Sequence, residues 1–463
     1  MTDFGTVQEA QADQLLKSAF DSLAQYRRSL AARPAYPSPL DLAQLADLDT
    51  NLPRTGEEPA EVLHQLATLG NRTAVPTTGG RYFGFVTGGV LPIGLAARIL
   101  ADGWDQASAL HVMSPLAATL EELCERWIVK LLGLPEETLA GFVTGTSMAT
   151  LCAFAAARHH LLKQLGWNTH DKGLAGAPPL RVIVNENAHS CIWRALRLLG
   201  FGENQFEKVR TDFQGRILTD QLPVIDNRCL VILQAGDVNT GSFDNFAAMS
   251  KITFQTGAWV HVDGAFGLWA ACSPAYRNLT GGVEFADSWA CDAHKTLNAP
   301  YECGLVLCRH EAAYREAMHT GASYAPLTQQ RDGMALVPEM SRRARAIEIW
   351  AILRSLGRDG VAALVERLAK RANQMADLLV QAGIPVINDV VFNQVLVQFG
   401  DDGMTNRILG RIQASGECWC GGSRWKGRSV IRFSVCSWAT TEDDIRRAAA
   451  AFIAARNAEA DIV

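Results

Sequence analysis

The sequence lacks both a long hydrophobic run and an excess of basic charge. No segment approaches the about 18 uninterrupted apolar residues that are typical of a membrane-spanning helix. The 463-residue chain carries 43 lysines and arginines against 48 aspartates and glutamates, a formal net charge of −5. Proteins that bind nucleic acid usually carry a basic patch. We therefore expect neither a membrane nor a nucleic acid as a partner.

The first residues of the sequence do not resemble a secretion signal, and we expect none. The segment MTDFGTVQEAQADQLLKSAF has no basic start followed by an apolar stretch. The 11 cysteines are odd in number and scattered along the chain, a pattern typical of reduced, mostly buried thiols. Cys418 and Cys420 form a Cys-x-Cys motif, which is not the usual spacing of a structural zinc site. We expect a cytoplasmic protein without a metal site.

The N-terminal part of the chain has a helical pattern. Apolar residues recur at helical spacing over residues 9–33 and 56–69, and a proline-rich stretch separates the two. A segment of this size cannot bury a core of its own. We predict that residues 1–80 form a helical arm that packs on another surface, such as a second subunit.

Short apolar runs alternate with helical stretches from Arg81 onward. Runs such as RVIVN, CLVILQ and WVHVD are almost continuously apolar, which is typical of parallel strands covered on both faces. The chain after about residue 340 reads as helix, strand, strand and helix. We predict an α/β fold with a large domain over residues 81–340 and a smaller α+β domain over residues 341–463.

Polar residues follow several of the apolar runs, at the sheet edge where ligands gather. The segment TGTSMATL carries Thr146 and Ser147 where a strand gives way to a helix. Free backbone N–H groups and the helix dipole suit this turn to phosphate, although it could equally be an ordinary helix cap. Asp263 ends the WVHVD run and His189 follows another strand; either could be structural when taken alone.

The segment DSWACDAHKTLN adds His294 and Lys295, and a lysine among small apolar residues is unusual. A phosphate turn, a histidine, a strand-end aspartate and a lysine are together the parts that hold pyridoxal phosphate. The lysine forms the Schiff base with the cofactor. The aspartate keeps the pyridine nitrogen protonated, so that the ring acts as an electron sink.

Several motifs occur together over nearly the whole chain: RYFGFVTGGVLP, AHSCIWRA, AGDVNTGSFD, HVDGAFG, DSWACDAHKTLN and SRRARAIEIWAILRSLG. In combination they resemble the group II pyridoxal-phosphate-dependent amino-acid decarboxylases, which have the aspartate-aminotransferase-like fold (fold type I). The resemblance implies a mostly parallel seven-stranded sheet in the large domain. It also implies an amino-acid substrate and a homodimer with shared active sites.

The resemblance implies a role for each candidate residue. Lys295 is the Schiff-base lysine, Asp263 pairs with the pyridinium nitrogen and His189 stacks on the ring, and these three form the catalytic set. The remaining expected cofactor contacts are Thr146 and Ser147 at the phosphate, His294 beside them, Ala265 near the ring and Asp237.

Two positions depart from the family pattern. Asp237 stands where the family usually has a threonine that helps to hold the cofactor. Gly333 stands about where decarboxylases of aromatic amino acids carry a loop tyrosine that returns a proton to the substrate carbon, and Tyr324 is a possible substitute. Two outcomes therefore stay open. The enzyme releases an amine, or it is an aldehyde synthase or another lyase or aminotransferase that uses the same cofactor.

Other polar residues are candidates for binding the substrate. Arg432 lies on a predicted strand, where it either holds the substrate carboxylate through a bidentate pair or makes a surface salt bridge. Gln106 and His111 either line the pocket across a dimer interface or make ordinary contacts at a helix end. A separate group of arginines is expected to pair with acids on a helix face: Arg342, Arg343 and Arg345.

Overall fold

The computed structural model describes residues 4–48, 51–318 and 330–460. The N-terminal part is helical, as predicted, and the two longer helices lie close to the predicted ranges. Side chains of this part stay exposed, among them Leu16, Phe20 and Leu66. The helices are α1 (Phe4–Ser29), α2 (Pro39–Ala43) and α3 (Pro59–Thr73).

A seven-stranded sheet forms the centre of the large domain. Its order is β1-β7-β6-β5-β4-β2-β3, and β7 runs antiparallel to both neighbours while the other pairs are parallel. The predicted mostly parallel sheet of an α/β fold is thereby confirmed. The strands are β1 (Leu139–Val143), β2 (Arg181–Asn185), β3 (Phe206–Val209), β4 (Cys229–Gln234), β5 (Trp259–Asp263), β6 (Ser288–Asp292) and β7 (Gly304–Cys308).

Helices cover both faces of this sheet, which explains why strands such as CLVILQ and WVHVD are buried along their whole length and are mostly apolar. The longest helix on one face is alanine-rich, and buried residues such as Ala149, Ala153 and Ala156 let it approach the strands closely. The helices of this domain are α4 (Pro92–Trp104), α5 (Pro115–Leu132), α6 (Thr146–Gln164), α7 (Thr169–Lys172), α8 (Ser190–Leu198), α9 (Phe246–Thr253) and α10 (Glu311–Met318).

The C-terminal part contains a three-stranded antiparallel sheet in the order β8-β10-β9. The sequence pattern predicted two strands here, and the structure adds β9 and a helix. β9 and β10 form a hairpin whose turn residues Lys426 and Gly427 both have positive φ, as a type I′ turn requires. The elements are α11 (Ala346–Gln381), β8 (Gln394–Val397), α12 (Asp402–Ala414), β9 (Gly421–Trp425), β10 (Arg428–Ser434) and α13 (Glu442–Ala460).

The buried side chain of Asn298 joins the loop after β6 to the rest of the molecule. Its Oδ1 accepts hydrogen bonds from the backbone N–H groups of Gly89 (2.9 Å) and Trp438 (2.8 Å). Its Nδ2 donates to the carbonyls of Thr296 (2.9 Å) and Cys436 (3.0 Å). Asn298 itself has a φ of 56°, a left-handed conformation that asparagine tolerates better than most residues. One side chain therefore fixes the loop that carries Lys295.

We predict that Asn298→Ala lowers the free energy of unfolding by about 3 kcal/mol, because several buried backbone groups lose their partners. Urea unfolding followed by circular dichroism measures this change. Asn457→Ala on the exposed face of α13 is the control, and it should change stability by less than about 0.5 kcal/mol. Equal stability of the two variants would contradict the linking role of Asn298.

Candidate active site

Lys295 lies in the loop that follows β6, three residues after the strand ends. Its Nζ is 3.0 Å from Oδ2 of Asp292, and its side chain is only 20% exposed. Burial alone would lower the pKa of the lysine, but the carboxylates of Asp292 and Asp263 outweigh this effect and raise it. Burial likewise acts to raise the pKa of Asp292, and the charges of Lys295 and His294 lower it. The two side chains therefore form a buried ion pair.

Asp263 is the last residue of β5, between β4 and β6 in the sheet. Its side chain is buried, and Oδ1 accepts a hydrogen bond from the N–H of Ala265 at 3.2 Å. Burial raises the pKa of Asp263, and the charges of His189 and Lys295 oppose that rise. A buried carboxylate in this position would gain most from a cationic N–H partner.

His189 caps the N-terminus of α8. Its Nδ1 accepts a hydrogen bond from the N–H of Cys191 at 3.3 Å, which leaves the ring proton on Nε2. Desolvation lowers the pKa of His189, and the negative charge of Asp263 opposes that change, so the neutral ring is favoured. His189 remains exposed at the carboxyl edge of the sheet, where a planar ligand ring can contact it.

The turn between β1 and α6 carries Thr146 and Ser147. The N–H of Thr146 donates to Oδ1 of Asp292 at 2.7 Å. The buried Oγ1 of Thr146 makes no hydrogen bond of good geometry among the described residues, but it interacts with the Asp292 carboxyl and lowers the pKa of that carboxyl. Ser147 is exposed. Gly145, which precedes them, packs so tightly against Gly304 of β7 that a side chain at Gly304 would collide with its backbone. A weakly engaged hydroxyl at the start of a 19-residue helix fits a phosphate group.

His294 lies between this turn and the aromatic ring of Tyr301. Its Nδ1 accepts a hydrogen bond from the N–H of Cys303 at 3.2 Å, and its Nε2 is 3.6 Å from Oδ2 of Asp292. The ring centroids of His294 and Tyr301 are 4.5 Å apart. His294 therefore lies close to the turn that carries Thr146, and its contact with the cofactor stays a prediction.

Asp237 follows β4 and is fully buried. Its Oδ1 accepts hydrogen bonds from the N–H groups of Asn239 (2.8 Å) and Thr240 (2.9 Å), so the carboxylate closes its own turn. The other oxygen, Oδ2, has no partner among the described residues and faces Gly215, where an added Cβ would lie 3.1 Å away. Burial raises the pKa of Asp237. Its cofactor contact stays a prediction.

Arg432 lies on β10 and is half-buried. Its Nη1 donates to the carbonyl of Val238 at 3.1 Å, and its charge acts on both His189 and Asp237. Desolvation lowers the pKa of the guanidinium, although Asp237 opposes that change. This setting is half-buried and is not a solvent-exposed salt bridge, and a role of Arg432 in binding the substrate stays a prediction.

No hydrogen bond or ion pair among the described residues joins Gln106 or His111 to Lys295. Gln106 lies just after α4, and its Nε2 donates to the carbonyl of Trp104 at 2.8 Å. The N–H of His111 donates to Oδ1 of Asp332 at 2.8 Å. Tyr324 lies outside the described residues. A pocket role for Gln106 or His111 across a dimer interface stays a prediction.

Gly333 is buried in a short 3₁₀ turn, Gly333–Ala335. A side chain there would collide with the guanidinium of Arg342 and the carbonyl of Ser108. The turn has no room for a tyrosine. The position that lies about where aromatic decarboxylases carry the loop tyrosine is therefore part of a packed turn in this chain.

The three arginines around the start of α11 pair with acids, as predicted. Arg342 contacts Glu121 of α5 at 2.8 Å with both side chains buried, and Arg343 contacts Glu348 of α11 at 2.5 Å. Arg345 contacts Glu302 at 2.7 Å. Glu302 follows Tyr301 in the loop after Lys295, so this last pair holds the wall of the site and does not lie on a helix face.

Two site residues were not predicted, Asp292 and Tyr301. Asp292 ends an apolar run just as Asp263 does, so the rule that polar residues after buried strands gather at a site would have found it. Tyr301 carries no such signal because it follows an irregular loop, and its approach to His294 depends on how that loop folds.

The sequence matches the family description "Pyridoxal-dependent decarboxylase conserved domain" over residues 41–398. It is 25% identical to the aromatic-L-amino-acid decarboxylase of Rattus norvegicus over 447 residues, 91% of this chain and 92% of the relative. It is also 25% identical to the phenylacetaldehyde synthase of Arabidopsis thaliana, covering 77% of each chain. The crystal structure of Oryza sativa TDC with PLP and tryptamine superimposes with a TM-score of 0.88 at 20% identity, covering 97% and 98% of the two chains.

The match to a pyridoxal-dependent decarboxylase domain over residues 41–398 makes this chain a pyridoxal-phosphate enzyme. The chain belongs to the group II pyridoxal-phosphate-dependent amino-acid decarboxylase family, as its motifs predicted. It is a carboxy-lyase whose cofactor is pyridoxal 5′-phosphate. Within the described ranges, no helix combines the length and apolarity needed to cross a membrane.

We predict that Thr146→Val weakens cofactor binding by about 10-fold, because the weakly engaged hydroxyl at the start of α6 is available to the phosphate. Titration of the apoenzyme with pyridoxal phosphate measures the Kd. Thr150→Val is the matched control, since the Oγ1 of Thr150 is also buried without a hydrogen bond of good geometry, one turn further along the helix. The same loss in both variants would contradict the phosphate contact.

Proposed function

We propose that this enzyme decarboxylates an L-amino acid to the corresponding amine and carbon dioxide, and that Lys295 carries the cofactor. The observation behind this proposal is the position of the Lys295 amine. It lies at the carboxyl ends of neighbouring strands, 3.0 Å from Asp292 and within the electrostatic influence of Asp263. When bound, pyridoxal phosphate supplies the ring that accepts the electron pair left behind as carbon dioxide departs.

The neighbouring residues are proposed to hold that ring. The buried carboxylate of Asp263 would pair with the protonated ring nitrogen and so keep the ring electron-withdrawing. The neutral imidazole of His189 would stack on one face, with Ala265 close to the other. Thr146, together with Ser147, would bind the phosphate. The resemblance to the family implies these roles, and the burial, the hydrogen bonds and the charges of these side chains support them.

Arg432 is proposed to bind a carboxylate of the substrate. Its guanidinium is half-buried on β10, and its described hydrogen bond uses only one of its five N–H groups. A planar donor fork of this kind suits a bidentate carboxylate. The charge of Arg432 lowers the pKa of His189, which supports a position for Arg432 at the edge of the same site.

We also propose that the enzyme works as a homodimer with shared active sites. The N-terminal helices expose large apolar side chains, including Leu16, Phe20 and Leu66, and the stretch after Gln106 exposes Val112. Apolar surface of this kind usually marks an interface. A second subunit would cover it and would bring Gln106 to a neighbouring site. The 11 free, buried cysteines support a location in the reducing cytoplasm.

A second candidate reaction is aldehyde synthesis, in which molecular oxygen takes two electrons from the decarboxylated substrate and water replaces the amino group. Its products are carbon dioxide, an aldehyde, ammonia and hydrogen peroxide. The packed turn at Gly333 favours this alternative, because it leaves no room for the tyrosine that returns the proton in aromatic decarboxylases. Product analysis distinguishes the two reactions. Stoichiometric amine supports decarboxylation alone, whereas aldehyde with hydrogen peroxide supports the alternative.

We predict that Lys295→Ala abolishes the visible absorbance of the bound cofactor and lowers the rate of carbon dioxide release by on the order of 10⁴-fold. A screen of the standard amino acids identifies the substrate for this assay. Lys251→Ala on the exposed face of α9 is the control, and it should match the wild type. Full turnover by Lys295→Ala would refute the proposed function.

A further inference from the structure

The carboxylate of Asp292 contacts both the turn at the start of α6 and the amine of Lys295. Its Oδ1 accepts the N–H of Thr146, the first residue of α6, at 2.7 Å. Its Oδ2 lies 3.0 Å from Nζ of Lys295 and 3.6 Å from Nε2 of His294. The residue is 2% exposed. This carboxylate is therefore already bound where a phosphate would bind.

The turn at the start of α6 has the features of an anion site. The first N–H groups of a helix have no partner within the helix, and the dipole of a long helix favours negative charge at this end. The side chain of Thr146 points the same way, because its buried Oγ1 makes no hydrogen bond of good geometry at this turn and interacts with the Asp292 carboxyl, lowering the pKa of that carboxyl. The turn therefore offers a weakly engaged hydroxyl donor, while one of its backbone donors is held by Asp292.

We propose that Asp292 is an internal anion that occupies part of the phosphate site in the cofactor-free enzyme and ties down the ammonium group of Lys295. The proposal rests on the proposed function, since it takes Lys295 as the lysine that carries the cofactor. For the cofactor to bind, the carboxylate has to release the N–H of Thr146 or share the turn with a phosphate of the same charge sign. Asp292 is thus a positioning residue that limits how fast and how tightly the cofactor binds.

The ionised state of Asp292 agrees with this role. Burial acts to raise the pKa of the carboxyl, but the charges of Lys295 and His294 and the side-chain hydroxyl of Thr146 lower it below its usual value. A charged group at this position repels an incoming dianion. An amide of the same shape would keep a hydrogen-bond acceptor for Thr146 and remove the charge.

The test compares Asp292→Asn with the wild-type apoenzyme, using inorganic phosphate and pyridoxal phosphate as probes. Calorimetry gives the Kd of phosphate, and stopped-flow absorbance gives the association rate of the cofactor. We expect phosphate to bind about 10-fold more tightly to the variant and the cofactor to associate faster. A merely structural role predicts the opposite, because damage to the turn weakens binding.

Asp287→Asn is the matched control. Asp287 precedes the other end of β6, where its Oδ2 accepts the N–H of Val260 at 2.7 Å and its Oδ1 contacts His310 at 2.6 Å. The control removes the same charge and a similar acceptor far from the turn, so it should bind phosphate like the wild type. If Asp292→Asn does not fold, Asp292→Ser tests the same expectation.

Unchanged or weaker phosphate binding by a folded, neutral variant at position 292 would overturn the proposal. Failure of the proposed function gives a different result. In that case the wild type itself forms no visible cofactor band, or Lys295→Ala keeps its turnover. If the wild type binds the cofactor but the neutral variant binds phosphate no more tightly, only the proposed role of Asp292 is refuted.

Discussion

The buried ion pair between Lys295 and Asp292 is the interaction on which the site depends. A lysine can lie below the surface at neutral pH only if another group compensates its charge, and Asp292 does so at 3.0 Å. The same carboxylate holds the first N–H of α6. Because one aspartate contacts both the amine and the turn at the start of α6, it sets the distance between these two parts.

The fold supplies the remaining geometry. Asp263, Asp292 and the turn at Thr146 follow strands β5, β6 and β1 of one sheet, so their separation is set by strand spacing and not by flexible loops. The loop after β6 is irregular, and it needs a separate support. Asn298 supplies this support through hydrogen bonds to residues far away in the chain, including Gly89 and Trp438.

Much of this arrangement could be predicted because strands and sites follow simple patterns. Lys295, Asp263 and His189 each come after an apolar run, and the parallel sheet places such residues at one edge. β9 was not predicted because its residues, GGSRW, lack an apolar pattern. They are glycine-rich and half-exposed. Asn298 and Tyr301 could not be found either, because their roles depend on a left-handed backbone and on contacts made by an irregular loop.

The most direct test is to locate the lysine that carries the cofactor. The holoenzyme is reduced with borohydride, digested and examined by mass spectrometry for a peptide that bears the cofactor mass. We predict that the label lies on Lys295, in the peptide that contains DAHKTLN. A label on any other lysine, or an unlabelled Lys295 peptide from fully loaded enzyme, would contradict the central claim.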